Sequence, residues 1–315
     1  MIPVWRRGAA LAAAGSVILA AAVALTLAAT GVLTPAAGPG DRGASRPRPA
    51  RPLIVAGVSE WAALARAVVG PDGTVVSLLS DPNADPHNHE ATPADATHVA
   101  QATLVIENGA GYDAWLSQLV AARSRPVAVI DVAHLMHVST GQNPHLFYNL
   151  TASRRLVAAL AARLRTLPSG PAIARRARRV SAQLADLAAQ VRAISRDCAG
   201  VPVAATEDVV TYLVTAMGLH IVTPEALRLA IGNSVDPSIH DLALALVQLT
   251  HHPALLVDNV QTATPLTQEM VRVAQAHGVP VVRVTETLIG KNDLALLRHV
   301  IGAVRHALHE EGCVP

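Results

Sequence analysis

Four side chains from distant parts of the chain share one kind of position. His87 lies in "DPHNHE", a loop after a short apolar run, and His145 lies in "GQNPHLFYN", another loop. Each follows a proline directly, and the fixed φ of proline sets the backbone that aims the imidazole. Glu207 ends the apolar run "VPVAATE", and Glu286 ends "VPVVRVTE". Two imidazoles and two carboxylates from separate segments suit a divalent transition metal, and the two carboxylates would neutralise its charge in an interior cleft. His89, two positions beyond His87, would share its face on a strand, a geometry that a loop does not guarantee. Other histidines have no such placement: His251, His252, His277, His299, His306 and His309 sit on helical or loop patterns and read as surface or hydrogen-bonded groups.

The elements that must position these groups follow one grammar. Short β-branched runs, "LIVAGV" at 53–58, "VVSLL" at 75–79, "TLVIENG" at 103–109 and "VAVID" at 127–131, each end in a polar or glycine-rich turn. That is how parallel strands of an α/β sheet read. The pattern returns at 201–207, 254–260 and 279–286, which predicts a second α/β lobe. Between them Ala177, Val180, Leu184, Leu187, Val191 and Ile194 form one apolar stripe at helical spacing, predicting a helix of roughly 25 residues that joins the lobes as a rod. The expected fold is α/β, two Rossmann-like lobes with parallel sheets joined by a single long backbone helix. Ligands of open α/β sheets lie beyond the carboxyl ends of the strands, so two such lobes enclose a cleft where these groups meet. The expected segments are an N-terminal lobe over 53–166, the linking helix over 167–198 and a C-terminal lobe over 199–315.

Composition narrows the function. The chain has 315 residues, 51% hydrophobic and 15% charged, with a formal net charge of +2, which supplies ample core for one large or two medium domains. Lys291 is the sole lysine, and aromatics make up only 2% of residues, so neither a basic surface nor a set of stacking rings points to nucleic acid. The run "ARRARR" at 174–179 reads as a solvated helix face. At the N-terminus two arginines precede an uncharged apolar stretch from Gly8 to about Gly38, an export signal that is either removed or kept as an anchor, with the arginines inside. Residues 39–52, rich in Gly, Pro and Arg, read as a tether. The expected location is therefore the outer face of the cytoplasmic membrane, the periplasm or the cell wall. Cys198 and Cys313 are the only cysteines, neither near the end of the apolar segment, so lipid attachment there is excluded. Outside the cytoplasm the two could pair, which spacing alone leaves open.

"DPHNHEATPAD", "ATLVIENGAGYDAWL", "NPHLFYN" and "ATEDVVTYLVTAMGL", in this order, resemble the zinc/manganese-type solute-binding proteins of bacterial ABC importers. The resemblance spans about residues 53–310. It implies two lobes on a rigid helix, one metal ion captured between them, delivery to a membrane permease, and no catalytic activity. Carried onto this chain, it assigns the ligands to His87, His145 and Glu207, with Glu286 at a fourth position usually held by aspartate and Asp293 in the following loop as the fallback. His89 and Asn108 fall beside the site as auxiliary or supporting groups. A histidine-rich loop common in zinc-type members is missing unless "AHLMHVSTG" at 133–141 is its remnant. A carboxylate in place of one imidazole hardens the site toward Mn2+ or Fe2+, yet intrinsic affinity favours Zn2+, so the metal stays open among the three. The chain is expected to act as a monomer. Two other readings compete: an exported metal buffer or adhesion protein with no transporter, and a metal-dependent hydrolase using "HNH", which would call for an eight-unit barrel.

Overall fold

A computed structural model describes residues 51–81, 89–288 and 293–313, with Asp293 described by its backbone alone. The first half builds β1 (Leu53–Ala56), α1 (Ser59–Val69), β2 (Thr74–Ser77), α2 (Pro93–Gln101), β3 (Leu104–Glu107), α3 (Ala114–Ala121), β4 (Ala128–Asp131), α4 (Val132–Met136) and α5 (Leu150–Arg163). Helix α6 (Gly170–Asp197) follows. The second half builds β5 (Pro202–Ala205), α7 (Thr211–Ala216), β6 (His220–Ile221), α8 (Glu225–Gly232), α9 (Ile239–Thr250), β7 (Leu256–Asn259), α10 (Pro265–Ala276), β8 (Val281–Val284) and α11 (Asp293–Glu310). The strands form two parallel four-stranded sheets of the same order, β2-β1-β3-β4 and β6-β5-β7-β8. Two open sheets exclude the closed barrel that the hydrolase reading calls for.

Both faces of each sheet are covered, so the strands read as near-continuous apolar runs. Along β1 and β3 alternate side chains divide: Ile54, Ala56, Leu104 and Ile106 face a large core, while Val55 and Val105 face a smaller one under α2 and α3. The second sheet repeats the division, with Val203, Ala205 and Val257 in the large core and Ala204 and Leu256 in a separate cluster with α8–α10. The large core is shared by both halves. It contains the whole stripe Ala177, Val180, Leu184, Leu187, Val191 and Ile194 of α6, which packs against α1, α5 and α11. Helix α11 also packs on α1, so the last helix returns to the first of the described residues.

The exposed face of α6 is only partly the solvated arginine face expected. Arg175, Arg178 and Arg179 are exposed, but Arg176 turns inward and donates from Nε to the Val68 carbonyl (2.8 Å) and from its terminal nitrogen to the Val69 carbonyl and Asp72 (2.5 Å each). These carbonyls lie in the last turn of α1, where a guanidinium supplies donors well. At the other end of α6, Cys198 is disulfide-bonded to Cys313, 115 residues later, with the Cα atoms 5.9 Å apart. The bond pins the end of the rod to the segment after α11. Among the described residues no helix is long and apolar enough to cross a membrane; the apolar segment near the N-terminus lies outside them.

Candidate functional site

His145, Glu207 and Glu286 converge at the carboxyl ends of the two sheets. Glu207 and Glu286 each stand two residues beyond a strand, β5 and β8, and all three side chains are buried. The His145 Nε2 lies 3.0 Å from Glu286 Oε1, joining residues from opposite lobes. Glu207 lies within electrostatic reach of both. His87 falls among the residues outside the description, and the side chain of Asp293 is likewise outside it. Among the described residues no group of three or more His, Cys, Asp or Glu is already spaced to hold a metal ion.

His145 is held by its own loop. Its ring Nδ1 lies 2.8 Å from Asn143 Oδ1, and its backbone N–H donates to the same oxygen at 2.9 Å. Phe147 and Tyr112 meet the ring edge-on, with centroids 5.9 and 5.8 Å away. The loop is carried by a buried relay from β3. Asp113 accepts the N–H groups of Asn108 (2.7 Å) and Gly109 (2.9 Å), which shapes the turn after the strand. Gly109 adopts a φ of 77°, and a Cβ there would run into Asp131. Asn108 then accepts from Trp61 Nε1 (3.0 Å) and donates to the carbonyls of Gly109 (3.1 Å) and Pro144 (2.9 Å). Its amide is consumed in positioning the residue before His145, which gives Asn108 a supporting place.

Glu286 is surrounded by donors from the first lobe. Tyr112 donates its hydroxyl to Oε1 at 3.0 Å, and Tyr148 donates to the Thr285 carbonyl at 2.8 Å. Gln261 Oε1 accepts the N–H groups of both Glu286 (2.5 Å) and Thr287 (2.7 Å). The N–H of Leu288 donates to Glu60 Oε1 at 2.5 Å, from the C-terminal half to the first turn of α1. Burial raises the Glu60 carboxyl from 4.5 to about 7, hydrogen bonds from the backbone and Ser59 oppose the rise, and the nearby Glu286 adds to it. Burial and then Glu286 keep Tyr112 protonated, its pKa well above the usual 10.0.

Glu207 is compensated within its own lobe. Thr262 donates to Oε1 at 2.7 Å, and the nearby Asn259 side chain favours the ionised form. Burial still raises its pKa from 4.5 to about 7, with Glu286 pushing it further up and His145 pulling it down. The next residue, Asp208, pairs with the buried Arg228, whose guanidinium also reaches the Thr223 carbonyl (3.2 Å) and Thr211 (3.2 Å).

His89 is engaged away from these groups. Its Nε2 lies 3.3 Å from Asp95 Oδ2, and its ring meets Trp115 edge-on at a centroid distance of 4.4 Å. Asp95 belongs to the capping box of α2, whose cap is Thr92, while Glu90 is exposed and caps nothing in it. In "AHLMHVSTG" the segment folds as α4 with His137 in the left-handed conformation at its end. Sequence reasoning passed over Glu60, Tyr112 and Asn143. A lone carboxylate in the otherwise apolar start of α1, "SEWAALA", and an amide two residues before a candidate ligand were the available signals.

A family model described as zinc-uptake complex component A, periplasmic, matches residues 54–307. Solved structures share the fold at low identity. The periplasmic zinc binding protein TroA from Treponema pallidum is 18% identical with a TM-score of 0.66, over 82% of this chain and 99% of that one. The manganese complex of the solute-binding protein FpvC from Pseudomonas aeruginosa is 21% identical with a TM-score of 0.66, over 83% and 100%. A cadmium-bound periplasmic metal binding protein from Candidatus Liberibacter asiaticus is 15% identical with a TM-score of 0.64, over 81% and 99%.

Proposed function

The chain belongs to the family described as zinc-uptake complex component A, periplasmic, and from that premise we propose that it captures one divalent transition metal between its lobes and delivers it to the permease of an ABC importer. The family is a metal-binding solute receptor family, and the reading assigns no catalytic step. The proposed ligands are His145, Glu207 and Glu286, with His87 as the fourth. The observation that supports the reading best is the convergence of a buried imidazole and two buried carboxylates at strand ends from both lobes, with His145 and Glu286 already at 3.0 Å. Buried acids this close lose their mutual repulsion when a dication sits among them, and a loaded site would hold them ionised.

The cargo is Zn2+ or Mn2+, with Fe2+ as the third candidate, because two imidazoles and two carboxylates serve all three. The proposed location is outside the cytoplasm, with the N-terminal apolar segment as leader or anchor. A disulfide between Cys198 and Cys313 suits an oxidising compartment.

Metal analysis of chain purified without chelator tests the reading. The wild type should carry close to one equivalent, while His145→Ala and Glu207→Ala should each lose most of it. Full metal content in both variants would overturn the ligand set, and an unchanged result for His87→Ala would remove that residue alone. Copurification with, or stimulation of, a permease and ATPase tests delivery separately.

A further inference from the structure

Asn143 occupies an unusual crossing point. Its Oδ1 receives the His145 backbone N–H at 2.9 Å, a group that can only donate, and its Nδ2 reaches the Asp208 carbonyl at 2.8 Å, a group that can only accept. The two backbone partners fix which end of the amide is oxygen, an assignment that ordinarily has to be inferred. The His145 Nδ1, 2.8 Å from that same oxygen, must therefore carry a hydrogen. In the neutral ring the lone pair for a metal is thereby left at Nε2, which lies 3.0 Å from Glu286 Oε1. The Asp208 carbonyl lies in the residue after Glu207, and Tyr212 donates to the Asn143 carbonyl at 2.8 Å, so both anchors of the Asn143 residue reach into the opposite lobe.

We propose that Asn143 is a positioning residue that sets the His145 tautomer and ties the His145 loop to the Glu207–Asp208 segment, presetting the spacing of ligands from the two lobes. This rests on the reading of His145 and Glu207 as ligands. An outer partner of this type governs ligand orientation and basicity, and its loss typically weakens metal affinity by about 10- to 100-fold.

The test uses the full chain stripped of metal, with 15N-labelled histidine and the His145 signals identified by their absence in His145→Gln. Wild type should show a hydrogen on Nδ1. Asn143→Leu removes the acceptor, so the hydrogen should shift toward Nε2, where Glu286 can receive it, and zinc affinity should fall by about 10- to 100-fold. Asn143→Asp keeps the acceptor and should retain the Nδ1 hydrogen. An unchanged tautomer in Asn143→Leu, or zinc affinity within about threefold of wild type while His145→Ala loses binding, overturns the proposal. If Asn143→Leu does not fold, Asn143→Asp decides alone: a ring protonated only at Nε2 overturns the proposal, and a retained Nδ1 hydrogen supports it. If His145→Ala keeps full zinc affinity, the ligand reading fails, whereas the tautomer result still reports on Asn143.

Discussion

Glu286 and Glu207 both stand two residues beyond a strand of the second sheet and both are buried, yet they are held from different directions. Glu286 takes its hydrogen bonds across the boundary between lobes, from Tyr112 and His145, and its segment is pinned by Tyr148 and Glu60 of the first lobe. Glu207 takes its hydrogen bond from Thr262, in its own lobe, and the link to the other side is made by the carbonyl of the following residue. The cores divide too, though not between these two segments, since Ala205 and Val209 beside Glu207 belong to the cluster shared by both lobes. The cluster shared by both lobes includes Val284 and Leu294 on either side of the Glu286 segment, whereas α8–α10 pack in a separate cluster. Five of the large apolar side chains left exposed, Leu229, Val235, Ile239, Leu244 and Val247, fall along α8 and α9 or between them. Both carboxylates are buried, but separating the lobes would strip hydrogen bonds from Glu286 and leave the one from Thr262 to Glu207 in place.

The largest effect expected from this contrast lies in the cores. Leu184→Ala, in the shared cluster, should cost about 2–5 kcal/mol and lower the unfolding midpoint of both lobes together. Leu227→Ala, in the α8–α10 cluster, should bring earlier amide exchange in α8 and α9 than in α6. Coincident exchange of all three helices in Leu227→Ala would erase the distinction.

A smaller effect is expected from pH. Glu60 and Glu207 both have folded-state values raised from 4.5 to about 7, so folding favours their protonated forms. Their contribution is fully present below the unfolded value of 4.5 and is lost as pH climbs toward 7. Metal-free protein should therefore lose stability over that window, by at most about 1.4 kcal/mol per pH unit for each group. Glu60→Gln and Glu207→Gln should each flatten the loss. Saturating zinc should reverse the Glu207 share by holding that carboxylate ionised, and metal affinity should fall as pH drops below 7. Equal zinc affinity at pH 5 and pH 7 would contradict this.

The smallest effect compares two hydroxyls. Tyr112→Phe and Thr262→Val each remove one donor to a buried carboxylate, and each should cost about 1–3 kcal/mol. Only Tyr112→Phe should raise amide exchange in both the 143–148 and 285–288 segments, because only its bond crosses between lobes. If Thr262→Val loosened the same two segments, the contrast between the carboxylates would be wrong.

Much of this was legible in the sequence, and for physical reasons. Each of the seven apolar runs contains or overlaps a strand, because a sheet buried on both faces demands continuous β-branched and aliphatic residues. The stripe from Ala177 to Ile194 located α6 because a helix covered on one side must repeat its apolar residues every three or four positions. Strand β6 escaped notice, since two residues, His220–Ile221, leave no periodicity to read. His145 and the two glutamates stood out through proline and strand-end placement. Glu60, Tyr112 and Asn143 did not, because their importance comes from partners as many as 228 residues away, and such pairings have no local signature. Arg176 was hidden among other arginines for the same reason.

The bond between Cys198 and Cys313 closes a covalent ring around nearly the whole second half, since it spans 115 residues from the end of α6 to the segment after α11. A single peptide-bond cut inside that ring cannot shed a fragment. The two pieces stay joined through sulfur, and the second sheet with the Glu207 and Glu286 segments stays attached to the rod. For a member of a family described as periplasmic, a nick in the α8–α9 region, with its exposed apolar side chains, is a wound that can be carried without losing the lobe. The mark of this is a nicked chain that migrates as one band until reductant is added.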